Sequence, residues 1–241
     1  MERDTRTTVV RNYLKNSIID HRLSSGDPLP AETKIAHELA ISRGSVREAV
    51  KGLESLGIVE VRHGEGLFVR DTNLDPLLEV FSFGSHFDPS LLAELLELRT
   101  WLETAVIGDV VKRVSELPLK EIAVFLGEWE NDLKEGILHT KDDQRFHRSL
   151  YKILGNQTLL RLLAVFWTVF ENIGIEDIRR DPTPMETWEE HRAIYEALLK
   201  HDEKGARKAI LKSNNHVMER IRRVRLQWDV DLKEGGGNGI D

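Results

Sequence analysis

The chain has 241 residues, enough for one large or two ordinary domains; 40% of them are hydrophobic and 31% are charged. No stretch approaches the roughly 18 uninterrupted apolar residues that a transmembrane helix needs, and the N-terminus MERDTRTTVV lacks the apolar core of a signal peptide. The absence of cysteine excludes disulfides and thiolate metal sites. We therefore expect a cytoplasmic, globular protein without a membrane partner.

The net charge of −7 is unevenly divided along the chain. Residues 1–70 contain 11 basic and 10 acidic residues, whereas the remainder contains 23 basic and 31 acidic residues. A nearly neutral N-terminal part can still present its arginines on one face. The overall acidity therefore does not exclude nucleic-acid binding.

Residues 1–70 show the pattern of three short helices followed by a β-hairpin. Apolar residues recur at helical spacing, Ser42 is a good N-cap for the third helix, and Gly57 is a suitable residue to end it. The elements expected are helices at 9–19, 31–39 and 43–56 and strands at 58–61 and 67–69. This order predicts a winged helix-turn-helix.

The rest of the chain predicts a second, entirely helical domain. Residues 71–87 are interpreted as a linker, residues 88–230 as an all-α effector-binding and dimerisation domain, and residues 231–241 as a frayed tail. Six helices are expected at about 89–115, 118–135, 141–154, 157–180, 186–200 and 203–228. The predicted fold is mainly α: an N-terminal winged helix-turn-helix and a C-terminal all-α bundle of about six helices.

The start of the third helix has residue types suited to contacting DNA. Ser42 and Ser45 can donate to phosphates near the free N–H groups of a helix start. Arg43 and Arg47 lie four residues apart on one face, and arginine can bond O6 and N7 of guanine together. Gly64, between the two strands, lets a wing backbone approach the sugar-phosphate closely.

Residues 9–70 resemble the winged helix-turn-helix of the GntR family of bacterial regulators. The resemblance rests on the segment LPAETKIAHELAISRGSVREAVKGLESLGIVEVRHGEGLFV. It implies that the start of the recognition helix enters the major groove and the wing tip reaches the minor groove. The DNA contacts implied by position are Ser42, Arg43, Ser45, Arg47, His63 and Gly64. Several members have arginine after the glutamate of the LP-x-E motif, whereas here Thr33 follows Glu32.

In the bundle, four polar residues from three helices occupy positions where the apolar pattern predicts core: Arg99, Asp143, His147 and His191. Such residues are costly to bury unless they satisfy one another or a ligand. Asp143 and His147 are one helical turn apart, which lets both reach one metal ion, and His191 is the candidate for a third ligand from a facing helix. This N/O donor set suits a divalent metal ion such as zinc, nickel or manganese.

Arg99 is predicted to bind the effector. Its guanidinium offers a fork for a carboxylate or a phosphate, and no partner is expected four residues away on its own helix. These features predict a ligand that carries an anionic group.

Residues 88–220 resemble the FadR-type C-terminal domain of the GntR family. The resemblance rests on the segments LLELRTWLE, DDQRFHRSLYKILGNQTL and EEHRAIYEALLKHDEKGARKAI. In many members of that branch an Asp and three His bind a metal that helps to hold an organic acid. Asp143, His147 and His191 match three of these four positions.

The fourth metal-binding position departs from this pattern. The last histidine usually lies 22 residues beyond the position of His191, and that residue here is Ser213. His216, three residues further along, is the only nearby candidate. Three interpretations stay open: His216 replaces the missing ligand, water or the effector fills the gap, or metal binding has been lost.

Taken as a whole, the pattern predicts a transcriptional regulator and not an enzyme. We expect a homodimer that binds a roughly palindromic operator DNA. A small carboxylate is expected to control the affinity of this dimer for the operator. Three alternatives are a regulator that senses an acyl-CoA without metal, a constitutive DNA-binding protein with an inert bundle, and a metal-dependent hydrolase. The hydrolase would leave the winged domain unexplained.

Overall fold

The computed structural model describes residues 5–71, 73–85, 88, 90–139, 141–172 and 182–235, with side chains of the last helix described to residue 223. Within this part of the chain there are ten helices and one antiparallel pair of strands, which confirms the predicted mainly α fold. The chain divides into two compact units, Met1–Leu77 (the N-terminal unit) and Leu78–Asp241 (the C-terminal unit).

The N-terminal unit has the helix and strand order of a winged helix-turn-helix. Its elements are α1 (Arg6–Asp20), α2 (Glu32–Glu38), α3 (Arg43–Ser55), β1 (Val59–Arg62) and β2 (Gly66–Val69). Gly57 has a φ of +68°, a left-handed conformation that turns the chain from α3 towards β1. The strands pair from Val59 opposite Val69 to Arg62 opposite Gly66. The strands and the three helices share one apolar core, whose residues include Leu14, Ile35, Val46, Leu53 and Val59.

The segment interpreted as a linker contains α4 (Asp75–Ser85), a helix that the sequence analysis did not predict. Its start is stabilised locally, because Oδ1 of Asn73 accepts a hydrogen bond from the backbone N–H of Asp75 at 3.2 Å. Pro76 is compatible with this position, since the first helical turn needs no backbone donor there. The Asn, Asp and Pro residues that read as linker signals are therefore helix-start signals here.

The remaining six helices belong to the bundle. They are α5 (Ser90–Arg113), α6 (Glu116–Lys134), α7 (Asp142–Lys152), α8 (Gln157–Asn172), α9 (Pro184–Leu199) and α10 (Glu203–Gly235). The predicted helix 157–180 is observed to Asn172, and its last residues lie outside the described part of the chain. Residues 231–235, expected to belong to a frayed tail, are the last residues of α10; residues 236–241 lie outside the described part.

Packing within the bundle brings several helices around α5 and α7. The helix α10 packs against α5 and α9, α9 packs against α6, and α7 contacts α5, α6 and α8. The buried side chains include Leu92, Ile107, Ile122, Phe146, Leu150, Phe166, Ile194 and Ile210. Across the described residues, no helix combines the length and the hydrophobicity that a bilayer crossing requires.

Candidate functional site

The predicted DNA contacts lie at the start of α3 and at the hairpin turn. Ser42 is the N-cap of α3, and its Oγ accepts a hydrogen bond from the backbone N–H of Ser45 at 3.2 Å. Arg43 and Arg47 are exposed on the same helix. The Nε of Arg47 lies 3.5 Å from Oε2 of Glu32, so the side chain is tethered to α2.

The wing residues are equally accessible. His63 and Gly64 are exposed in the turn between β1 and β2, and Gly64 has a φ of +79°. Glycine adopts this backbone conformation without a steric cost. Behind the turn, the Arg62 guanidinium lies over the ring of Phe68, 4.2 Å from its centroid, which steadies the base of the wing.

In the bundle, α7 and α9 bring three predicted ligands together. Asp143, His147 and His191 each offer one donor atom, and these atoms lie within 4.8 Å of one another. Oδ1 of Asp143 is 3.0 Å from Nε2 of His191 and 3.5 Å from Nε2 of His147. Both imidazoles are fully buried. Two imidazole nitrogens and a carboxylate oxygen converging on one point form a donor set for a divalent metal ion.

The backbone sets the orientation of His191. Its Nδ1 lies 2.6 Å from the carbonyl oxygen of Thr187, and because a carbonyl can only accept, Nδ1 is the donor. A neutral His191 then directs the lone pair of Nε2 towards Oδ1 of Asp143. A lone pair and a carboxylate oxygen at this distance repel unless a proton or a metal cation lies between them. This tautomer is the one that a metal ligand needs.

His147 lies between two carboxylates. Its Nδ1 is 3.0 Å from Oε1 of Glu103, and its Nε2 faces Asp143. Neither ring nitrogen makes a hydrogen bond of good geometry to a described residue, although both are buried. Buried polar atoms without such a bond are costly, so a cation at Nε2 would satisfy this side chain. The residues therefore fit a metal ion.

Arg99 is already paired inside the bundle. Its Nε donates to Oε1 of Glu103 at 3.2 Å, and its Nη2 lies 3.6 Å from Oδ2 of Asp143. The guanidinium also stacks over Trp167, 4.4 Å from the ring centroid. The expectation that Arg99 has no partner four residues away is wrong, because Glu103 lies at that position. We call Arg99, Glu103, Asp143, His147 and His191 the polar cluster.

Charge pairing keeps both carboxylates of the cluster ionised. Burial alone would raise their pKa values, but Arg99 and His147 outweigh it: the pKa of Glu103 is lowered to about 2, and that of Asp143 falls well below its usual value. For His147, burial lowers the pKa, and Glu103 and Asp143 more than reverse the effect, so its pKa is raised. A metal ion at this nitrogen would therefore compete with a proton.

His216 does not join the other three candidate ligands. Its Nε2 lies 3.1 Å from Oγ1 of Thr183, and its Nδ1 lies 3.4 Å from Oε2 of Glu190. Ser213, at the position where a fourth histidine was expected, is buried on α10. Among the described residues, the group with metal-ligand spacing consists of Asp143, His147 and His191.

Comparison with known families identifies both units. Residues 94–217, about half of the chain, match the FCD domain family, and residues 6–69 match the family described as bacterial regulatory proteins, gntR family. The chain belongs to the FCD domain family, and its N-terminal unit matches the gntR family. It is a DNA-binding transcriptional regulator of the GntR/FCD type, and not an enzyme.

Individual relatives span most of the chain. The galactonate operon transcriptional repressor of Escherichia coli (strain K12) is 26% identical over 206 residues, which cover 82% of this chain and 89% of the relative. The putative L-lactate dehydrogenase operon regulatory protein of the same strain is 28% identical over 223 residues, covering 89% and 85%. Among solved structures, the Streptococcus agalactiae GntR is 26% identical, with a TM-score of 0.64 and coverage of 88% and 99%.

Two residues of this GntR/FCD bundle were missed by sequence reasoning. Glu103 lies one helical turn after Arg99 on the same apolar stripe, so the i,i+4 spacing was a signal that could have been used. Asn214 donates from Nδ2 to Oε2 of Glu103 at 2.8 Å and is buried. It lies in a run of polar residues on α10, where the hydrophobic pattern gives no indication of burial.

Proposed function

We propose that this regulator holds a divalent metal ion with Asp143, His147 and His191, and that a small carboxylate bound at this site changes its affinity for operator DNA. The observation that carries the proposal is the convergence of the three donor atoms within 4.8 Å, two of them on fully buried imidazoles. Zinc, nickel and manganese all accept such N/O ligands.

The surrounding residues support the ligands. Thr187 fixes the tautomer of His191, Glu103 faces the second nitrogen of His147, and Arg99 lies beside Asp143. Partners of this kind hold ligands in position and make them better donors. With three protein ligands, a bound ion supplies open coordination positions that suit a carboxylate.

The chemical class of the effector is inferred from the relatives. The names of two of them refer to galactonate and to L-lactate, and both compounds are carboxylates. The sequence predicted that Arg99 binds the effector. Because Arg99 is paired with Glu103 and Asp143, we propose that its first role is to hold the polar cluster together. The carboxylate of the effector then binds at the metal. An acyl-CoA would need no such donor set.

The DNA-binding part of the proposal rests on the start of α3 and the wing. Ser42, Arg43, Ser45 and Arg47, with His63 and Gly64, are the proposed contacts, and all but the half-buried Ser45 are exposed. Each chain has one recognition helix, so we propose a homodimer that reads a palindromic operator in the cytoplasm of a bacterium.

Metal analysis tests the proposal directly. Full-length protein is exposed in turn to zinc, nickel and manganese, desalted and analysed by mass spectrometry for metal content. About one ion per chain is expected for the wild type and for His216→Ala, with loss in His191→Ala. A wild type that retains none of the three ions contradicts the proposal. Loss of the metal in His216→Ala, with metal retained in His191→Ala, would mean that His216 and not His191 is a ligand.

Operator binding tests the regulatory part. Fluorescence anisotropy with an operator selected from a random-sequence library is measured with metal-loaded and chelated protein, with and without D-galactonate or L-lactate. At least one acid should shift the operator Kd of the metal-loaded protein and leave that of the chelated protein unchanged. An acid effect that persists after chelation contradicts a metal-held effector, and a response to acyl-CoA alone favours the metal-free alternative.

A further inference from the structure

Two polar atoms beside the polar cluster have no hydrogen-bond partner among the described residues: the hydroxyl of Tyr151 and Oδ1 of Asn214. Tyr151 is 0% exposed and Asn214 is 2% exposed. An unsatisfied buried polar atom costs more free energy than a hydrogen bond returns. Each of these atoms needs a hydrogen-bond partner that the described residues do not supply, and a bound ligand is one source of it.

Tyr151 is part of the wall around the proposed metal ligands. It lies one helical turn after His147 on α7, and the two rings stack with centroids 6.1 Å apart and an interplanar angle of 24°. The hydroxyl of a phenol carries its hydrogen at neutral pH, so Tyr151 can donate a hydrogen bond to a ligand.

The orientation of Asn214 is fixed by Glu103. Its Nδ2 donates to Oε2 of Glu103 at 2.8 Å, and a carboxylate can only accept, so the amide cannot be turned around. Oδ1 of Asn214 is therefore an acceptor that needs a donor from elsewhere. A ligand carboxylate could accept from Tyr151, but it has no hydrogen to give to Asn214.

We propose that Tyr151 and Asn214 select an effector that has hydroxyl groups in addition to its carboxylate. A hydroxyl both donates and accepts, so this one class of group satisfies the amide oxygen of Asn214 and the phenol of Tyr151. An ammonium group donates but does not accept, and an aliphatic chain does neither. This inference rests on the proposed function, since it takes the carboxylate to be held at the metal.

The test compares acids that differ in the hydroxyl groups. Isothermal titration calorimetry on metal-loaded, full-length protein is carried out with two sets of matched length: L-lactate, propionate and L-alanine, and D-galactonate and hexanoate. In at least one set the hydroxy acid should bind about tenfold tighter, or more, than its unsubstituted partner. L-alanine should bind no better than propionate.

Variants assign this preference to the two residues. Tyr151→Phe should remove most of the difference in Kd between the hydroxy acid and its unsubstituted partner. It should change neither the metal content nor the Kd of the unsubstituted acid. Tyr195→Phe is the matched control, because it removes the hydroxyl of a half-buried tyrosine on α9 and should change neither Kd. Asn214→Ala should reduce the preference in the same way as Tyr151→Phe.

The outcomes separate this inference from the proposed function. Equal affinities within both sets overturn the hydroxyl preference and leave the carboxylate proposal standing. Failure of all five acids to bind the metal-loaded protein overturns both. If Tyr151→Phe weakens the hydroxy acid and its unsubstituted partner equally, Tyr151 acts through packing and its assignment is overturned.

Discussion

Arg99 and Glu103 form an ion pair inside the bundle, with Nε of Arg99 3.2 Å from Oε1 of Glu103 and both side chains buried on α5. The same arginine lies beside Asp143, and the same glutamate faces His147 and accepts from Asn214. One ion pair thus connects two proposed metal ligands to a third helix. The cation that the sequence assigned to the effector therefore has a structural role in the cluster.

Replacing Arg99 tests this structural role. Arg99→Leu leaves Glu103 and Asp143 buried without their cation, and breaking a buried pair in this way costs about 3–5 kcal/mol. The Tm of the bundle should fall by about 10 °C in a chain of this size, measured by calorimetry on metal-free protein. Arg192→Leu is the control: it breaks the exposed pair with Glu196 and should shift the Tm little. A wild-type Tm in Arg99→Leu would show that the pair is dispensable.

The effect of acid on stability follows from Glu103. Its pKa of about 2 lies below the ordinary value of 4.5, so folding favours the charged form. The stabilisation is complete above pH 4.5 and is lost as the pH falls from 4.5 towards 2, with a full size of about 3 kcal/mol.

Urea unfolding of chelated wild type and Glu103→Gln, at about pH 5.5 and about pH 3, measures this contribution. The wild type should lose more stability between the two conditions than the variant, which has no carboxylate to titrate at this position. Equal losses would mean that Glu103 is not held ionised by its neighbours.

Much of the architecture follows from local sequence patterns. Ser42 and Gly57 predicted the ends of α3 correctly, because capping depends on a few neighbouring backbone groups. The helix α4 was missed because Asn73 and Pro76 favour both linkers and helix starts, and only the observed capping bond distinguishes the two.

The cluster shows the limit of the same reasoning. The i,i+4 spacing predicted that Asp143 and His147 lie close together, and the apolar pattern predicted that His191 points into the bundle. The positions of His216 and Asn214 around α10 depend on how that helix is rotated against α5 and α9, which hydrophobic periodicity does not fix for a mostly polar segment. Sequence alone therefore could not show that Asn214 contacts Glu103 and that His216 faces Glu190.

DNA recognition gives a third prediction, in the N-terminal unit. If Arg47 bonds a base, Arg47→Ala should weaken operator binding by about 1–3 kcal/mol, roughly 5- to 150-fold in Kd, and Arg43→Ala should act in the same direction. Lys120→Ala removes an exposed positive charge on α6, in the other unit, and should have no effect. Anisotropy titrations at one fixed salt concentration make the comparison. Unchanged binding in both arginine variants would refute the proposed contact face.

Tethering of Arg47 by Glu32 has a separate consequence. Because the Nε of Arg47 lies 3.5 Å from Oε2 of Glu32, the carboxylate restrains the arginine before DNA arrives. Glu32→Gln removes the charge and keeps the shape. If Arg47 reads a base as proposed, this variant should broaden the base preference at that operator position and change the affinity for non-specific DNA far less. Selection from randomised operators gives the readout. An unaltered preference would mean that Glu32 does not position Arg47.

The last prediction concerns the missing fourth ligand. Ser213 is buried on α10 next to Asn214, which contacts Glu103 of the polar cluster. Ser213→His should therefore add a nitrogen ligand and tighten metal binding at least about tenfold, because ligand number sets affinity when the donors are already oriented. Competition with a fluorescent chelator measures the Kd, and Lys212→His, which places the same ring on the exposed face of α10, should leave it unchanged. Filling this coordination position should also weaken carboxylate binding. An unchanged metal Kd in Ser213→His would mean that residue 213 does not face the site.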